Sequence, residues 1–362
     1  MLNGWMQKRL ANIQALRGFA ALAVVSAHLG NLTHYDPNIP VIVTKAGVFG
    51  VDIFFVMSGY IIASVTGGER WGRIYPFAIG RIWRIAPLYW LLTLPELPWR
   101  SIVAYARDGA LFTNWEYYLK SFLFIPAFSP GSSLLAPALN QGWSLIYEMA
   151  FYGTWLAMML GPRTHLLPKL MVGLTCVFLS GTIAPEGSVW RAFAANPIIY
   201  EFALGVMIAE IMALSPAPVL SRLQNSLLIV AAVLLMVVLD SQFAVENRLW
   251  IFGLPAAVMV AAAIDLEKSD CRAPRWLCFL GDASYAIYLI EAGMIAAVAA
   301  LLAHLPGLPA SVKLLTIGLA AVAAGCVVHV LYERPLMAWR RRSDGSLGSS
   351  APLARPALAD RR

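Results

Sequence analysis

The sequence predicts an all-α, polytopic membrane protein of about ten transmembrane helices with both termini in the cytoplasm. Three observations carry that reading. The 362 residues are 59% hydrophobic and 13% charged, with a mean hydropathy of +0.68, whereas an ordinary soluble domain is about a quarter charged. Apolar runs of roughly 17 to 25 residues, the length that crosses a bilayer core, recur along nearly the whole chain and leave no polar block large enough for a soluble domain. The basic residues are divided unequally between the two sets of connections, and that division sets an orientation.

The runs fall at about 12–32, 44–66, 78–97, 142–160, 168–184, 197–214, 225–240, 248–265, 279–303 and 311–332. The first begins like a signal peptide, with a basic flank and an apolar stretch. A secretory h-region is short and uncharged, however, while this one continues to about Leu32 and carries Arg17 and His28, so it is expected to stay as the first spanning helix. With the N-terminus inside, 20 of the 27 Lys and Arg lie in the inner segments, and only Lys45, Arg100, Arg107, Lys120, Arg191, Arg248 and Lys313 lie outside. The split favours an even span count. Residues 1–342 therefore read as one membrane-embedded domain, and 343–362, rich in Ser, Gly, Pro, Ala and Arg, as a disordered cytoplasmic tail. The longest outer connection, 98–141, carries Trp99, Tyr105, Trp115, Tyr117 and Tyr118, aromatics expected at headgroup depth.

The net charge of +7 and pI near 9.3 do not imply nucleic acid, because the basic residues are scattered between apolar runs instead of clustering with aromatics. Cys176, Cys271, Cys278 and Cys326 show no metal-ligand or redox spacing and read as packing residues. No P-loop, G-x-G-x-x-G, H-E-x-x-H or G-x-S-x-G motif occurs, which removes support for nucleotide hydrolysis, zinc chemistry and a serine-hydrolase elbow. Metal sites and permanently bound cofactors are not expected.

The chemistry then rests on ionisable groups inside the runs, each costing about 2.5–3.5 kcal/mol at a helix centre unless it has a partner, a wet cavity or a function. Arg17 and His28 are eleven residues apart, within about 20° of one another around a helix and roughly 16 Å apart along it. Snorkelling accounts for Arg17 as well as function does; His28, set inside the far end, is the candidate for proton transfer. Asp52 in GVFGVDIFFVMSGY and Glu148 in QGWSLIYEMAFY lie at similar depths, so the expectation is that His28, Asp52 and Glu148 meet, with a carboxylate orienting the imidazole. Arg81 and Arg84 share a helical face near the inner edge, and with Arg17 and Arg73 they form a supply of guanidinium forks suited to phosphates. Glu333, before Arg334 and Pro335, reads either as a holder of one of these arginines or as part of a plain helix stop. In DASYAIYLIEAG, Tyr285 and Tyr288 share a face and Glu291 follows three residues on; tyrosines there are usually packing.

Taken together, IQALRGFAALAVVSAHL, GVFGVDIFFVMSGYIIA, GRIWRIAPLYW, QGWSLIYEMAFY, SYAIYLIE and YERP resemble, in order, the motifs of the membrane acyltransferase-3 family, the O-acyltransferases that decorate bacterial polysaccharides and lipid-linked sugars. The resemblance covers roughly 12–342, and the wording of QGWSLIYEMAFY is similar to the exopolysaccharide acetyltransferases of the succinoglycan type. It implies a multi-pass protein of the bacterial inner membrane. The implied reaction moves an acetyl or other short acyl group from acyl-CoA, a co-substrate bound through Arg17, Arg81, Arg84 and Arg73, to a hydroxyl of a polysaccharide or its lipid-linked precursor. His28 is the implied catalytic histidine, as a base or as a covalent acyl carrier, with Asp52 or Glu148 as its orienter. Ser58 or Tyr60 is assigned to the developing oxyanion, with Tyr285, Glu333 and Arg334 in support. Family members often carry His where this chain has Glu291, and the resemblance assigns that position nothing. The competing reading is a transporter of a lipid-linked saccharide or anion, which would also place charges in spanning helices beside basic entrances.

Overall fold

A computed structural model describes residues 10–30, 32, 47–99, 101–102, 114–215, 217–240, 245–305 and 307–347. Helices dominate, and the only β pairing among the described residues is an isolated bridge between Phe128 and Leu135. Each of the ten apolar runs falls on a helix: α1 (Ala11–Gly30), α2 (Gly50–Val65), α3 (Ile74–Thr93), then, after the short α4 (Trp115–Phe122), α5 (Gly142–Met159) and α6 (Leu166–Thr182). A short α7 (Val189–Ala194) leads to α8 (Glu201–Leu214), α9 (Arg222–Leu239), α10 (Leu254–Lys268), α11 (Arg275–Ala303), α12 (Ala310–Val328) and α13 (Arg334–Leu347). A π-helical turn enters α10 at Leu249–Gly253, and another joins α12 to α13 at His329–Glu333.

Six helical segments among the described residues are long and apolar enough to cross a membrane: Ala11–Gly30, Pro197–Leu214, Arg222–Leu239, Val245–Lys268, Arg275–Ala303 and Ala310–Arg342. Gly50–Val65 and Leu166–Thr182 are apolar but shorter. The apolar sequences of α3 and α5 are interrupted by Arg81 and Arg84 and by Glu148, residues that line an interior cavity. The chain is thus a multi-pass membrane protein with an all-α fold. Large apolar side chains stay exposed on the peripheral helices, among them Leu223 and Val238 on α9 and Leu315 and Leu319 on α12, as expected where lipid is the solvent. The tail expected to be disordered from 343 is helical over 343–347, the end of α13, and Lys45, Arg100, Tyr105, Arg107 and 348–362 lie outside the described residues.

Helix α1 is the hub, packing most extensively on α11 and also on α2, α10 and α12. Its N-terminus is fixed by a carboxylate of α10: Glu267 accepts from the backbone N–H of Ala11 and Asn12, both at 2.9 Å, which satisfies two orphan donors at the positive end of the helix dipole. Helices α1 and α11 run in the same direction and touch backbone to backbone. A Cβ at Gly281 would lie 1.8 Å from the Gln14 carbonyl oxygen, so only glycine permits this approach. Within the connection preceding α5, Tyr117 and Tyr118 are buried and donate to the carbonyls of Ala136 and Glu96 at 3.0 and 3.3 Å. They close a local core, while Trp99 and Trp115 remain exposed; the interfacial position expected for all of these aromatics does not extend to the two tyrosines.

Candidate active site

Five helices, α1, α2, α3, α5 and α11, enclose a cavity of about 320 Å³. Arg17, Arg81 and Arg84 line it together with Glu148, Ser58, Ser284, Tyr285 and Tyr288. Three guanidinium groups against one carboxylate line the cavity, with Glu333 and Asp282 also close enough to act on Arg17; a cluster of guanidinium forks suits a multiply charged anion. Arg17 and Arg81 are held by the wall. Arg17 donates to Ser284 Oγ at 3.0 Å, and the Arg81 guanidinium stands 5.6 Å and 5.9 Å from the ring centroids of Phe77 and Tyr152, within cation–π reach. Tyr285 donates to the Ile85 carbonyl at 2.5 Å, tying α11 to α3 one residue beyond Arg84.

Glu148 accepts from Ser58 Oγ at 3.0 Å and from the Tyr152 hydroxyl at the same oxygen. It faces the arginines and not His28, so the expected meeting of His28, Asp52 and Glu148 does not occur. Asp52 is wholly buried and receives both Nε and Nη2 of Arg248, at 2.8 and 2.9 Å, while that guanidinium lies 5.6 Å from the Trp143 ring centroid. The two-pronged fork is a strong partner for a buried carboxylate, Glu201 is hydrogen-bonded to Asp52 as well, and the imidazole is paired elsewhere. Similar depth along two helices did not translate into a shared face.

The carboxylate beside His28 is Glu291. His28 Nδ1 lies 2.6 Å from Glu291 Oε1, with the His28 side chain 32% exposed and that of Glu291 fully buried. Because Nδ1 is engaged by Glu291, Nε2 is the nitrogen left to meet a substrate. His28 lines a second cavity, of about 530 Å³, between α1, α11 and α12. Along α11 the order is plain: Ser284, Tyr285 and Tyr288 face the first cavity, Glu291 is enclosed, and Ala292 to Ala303 supply a wall of the second. Arg17 and His28, on one stripe of α1, thus open into different cavities. Between them Tyr288 donates to the Gln141 carbonyl at 2.9 Å and pairs with Ser144 Oγ at 2.7 Å, and the Phe54 ring packs edge-on against Tyr288 with centroids 6.1 Å apart.

Four other expected positions fall elsewhere. Arg73 precedes α3 and is exposed, eight residues or roughly 12 Å along the axis from Arg81, and does not line the cavity. Tyr60, two residues past Ser58 and so on the far side of α2, is buried against α8, where a Cβ at Gly205 would approach its backbone nitrogen. Ser58 does line the cavity, but its hydroxyl is directed to Glu148. Glu333 forms its ion pair with His329 Nδ1 at 2.7 Å, not with an arginine, and Arg334 is exposed at the start of α13. Among the described residues no group of His, Cys, Asp and Glu is arranged to hold a metal ion.

Glu291 and Arg248 are the close partners of His28 and Asp52 that the motifs did not supply. Both carried a signal. Glu291 is a carboxylate inside an apolar run, the same expense that drew attention to Asp52, and Glu201, also wholly buried, is another. Arg248 was accounted for by topology alone.

The chain matches the family model described as an acyltransferase domain over residues 10–332. It is 32% identical over 305 residues to the exopolysaccharide production protein ExoZ of Rhizobium meliloti (strain 1021), covering 80% of this chain and 90% of that one. The acyltransferase MdmB of Streptomyces mycarofaciens is 24% identical over 370 residues, 91% of this chain and 92% of the relative. The peptidoglycan O-acetyltransferase OatA of Listeria monocytogenes is 24% identical over 324 residues, covering 79% of this chain and 49% of its own length. No solved structure matches.

Proposed function

The chain belongs to the acyltransferase-3 family and is an O-acyltransferase, and from that premise we propose that it moves an acetyl or other short acyl group from acyl-CoA to a hydroxyl of an exported or cell-surface polysaccharide, or of its lipid-linked precursor. The proposed setting is the bacterial inner membrane, with ten spans and both termini cytoplasmic; the 20-to-7 division of Lys and Arg supports that orientation. It puts the arginine cavity toward the cytoplasm, where acyl-CoA is made, and His28 toward the opposite face.

One observation carries the reading: a histidine backed by a buried carboxylate stands roughly 16 Å along α1 from a cavity with three arginines. In this reading the arginines hold the CoA phosphates, and the extended pantetheine arm runs along the α1 stripe, past Phe54 and Tyr288, to bring the thioester to His28. Nε2 of His28 takes the proton of the acceptor hydroxyl as its oxygen attacks the thioester carbonyl. The tetrahedral intermediate collapses with cleavage of the C–S bond, and the imidazolium returns the proton to the departing thiolate. Glu291 fixes the ring and balances the imidazolium charge. Glu148 becomes a positioning residue of the donor cavity, holding Ser58 and Tyr152 and tempering the arginine charge.

The test is transfer of labelled acetyl from acetyl-CoA by membranes containing the protein. Label should appear in glycan, and His28→Ala should lower the rate by about 10²–10⁴ with insertion intact. Transfer at the wild-type rate by His28→Ala would remove His28 from the chemistry, and saccharide movement without CoA release would favour the transporter.

A further inference from the structure

The second cavity is larger than an acetyl group requires, and its wall has a definite chemistry. Ala292, Ala296, Ala299 and Ala300 of α11 face Leu314 and Ile317 of α12, a surface without hydrogen-bonding side chains. The polar side chains among its lining residues are His28 and Lys313. Because α12 starts beside the end of α11, Lys313 stands at the far end from His28, roughly 14 Å along the helix axes. A saccharide brings several hydroxyls, each costing free energy if buried without a partner, so this wall does not suit the acceptor's sugar. It suits hydrocarbon.

We propose that the alanine-walled cavity receives the acyl chain of the donor, so that the enzyme accepts medium-length acyl-CoAs as well as acetyl-CoA. The inference rests on the donor assignment above. An acyl-CoA whose phosphates occupy the arginine cavity and whose carbonyl lies at His28 has one part still unplaced, the chain beyond the carbonyl. The cavity that opens at His28 continues the same line between α11 and α12. The small alanine side chains make the space, since a larger residue at 296 or 299 would close the gap between the helices. Lys313 marks the outer limit, where an ammonium reaches water and a hydrocarbon chain no longer gains by burial.

The experiment compares acetyl-CoA and octanoyl-CoA as donors to purified protein in detergent, following CoA release and acylated glycan, for the wild type and for Ala296→Phe, Ala299→Phe and the milder Ala299→Val. The wild type should use both donors, with KM for octanoyl-CoA lower by at least about tenfold, because buried methylenes add to binding. The phenylalanine variants should lose octanoyl transfer while retaining acetyl transfer, which also shows that they fold, and the valine variant should fall between. Acetyl transfer without any octanoyl transfer by the wild type overturns this inference and leaves the proposed function standing. Equal loss of both donors in all three variants at an unchanged KM for acetyl-CoA would assign the cavity to the acceptor, and consumption of neither donor by the wild type would overturn the inference and the proposed function together.

Discussion

Replacing Glu291 by glutamine keeps the shape of the side chain and removes its charge, leaving His28 with a neutral neighbour. The two groups are 2.6 Å apart and Glu291 is fully buried. At an effective dielectric of about 20 the bare Coulomb term at that separation is roughly 6 kcal/mol, an upper bound, because the charges are also desolvated. Hydrogen bonds to charged groups contribute about 1.5–3 kcal/mol net. If that amount is lost where imidazolium charge develops, the rate falls by about 10- to 150-fold. Single-turnover acetyl transfer in proteoliposomes should show this loss in the chemical step. KM for acetyl-CoA should hold, since Glu291 does not line the arginine cavity. In a double-mutant cycle with His28→Ala the second substitution should add nothing, because Glu291 acts through the ring. A wild-type rate for Glu291→Gln, or a further loss of the same size on the His28→Ala background, would refute the reasoning.

Three other outcomes follow from the same geometry. Arg81→Ala and Arg84→Ala should each raise KM for acyl-CoA by roughly tenfold, the cost of a charge-assisted contact, whereas Arg73→Ala, outside the cavity, should leave it unchanged; initial rates against acyl-CoA concentration decide. Arg248→Ala removes the cation from the buried pair Asp52 and Glu201, so thermal unfolding in detergent should report a destabilisation of about 3–5 kcal/mol, and Asp52→Asn added to it should recover part of that loss. Gly281→Ala should separate α1 from α11, since its Cβ meets Gln14 oxygen at 1.8 Å, and should lower transfer together with the melting temperature, while Gly293→Ala, with open space around it, should change neither.

The helices were legible because lipid imposes a length and a composition on whatever crosses it, and every apolar run located in the sequence falls on a helix among the described residues. The arginine cavity was legible for a similar reason. Arg81 and Arg84 are three residues apart, and helical periodicity alone places them on one face; Arg17 joins them because α1 and α11 are locked at Gly281. The partners of the buried carboxylates were not legible. Depth along a helix follows from residue count, but which neighbour a side chain faces depends on rotations set by packing, such as the contact of Gly59 and Gly205 with the opposing backbones of α8 and α2. Asp52 and Glu148 had suitable depths and turned out to face Arg248 and Ser58. Glu291 had its depth and its signal, yet a family habit of carrying histidine there drew attention away from the carboxylate itself.

On the proposed function the protein handles reagents from two sides of a bilayer and must not become a hole in it. At a potential of 100 mV each univalent ion that leaks across dissipates about 2.3 kcal/mol. On that reading the Ser144–Tyr288–Gln141 hydrogen bonds and the Phe54 ring against Tyr288 would serve as the seal between the two cavities. A slender arm can be admitted past two aromatic rings that swing and return, whereas a hydrated ion would have to shed its water there. Shrinking either ring should therefore appear first as ion permeability in cells otherwise able to make the product.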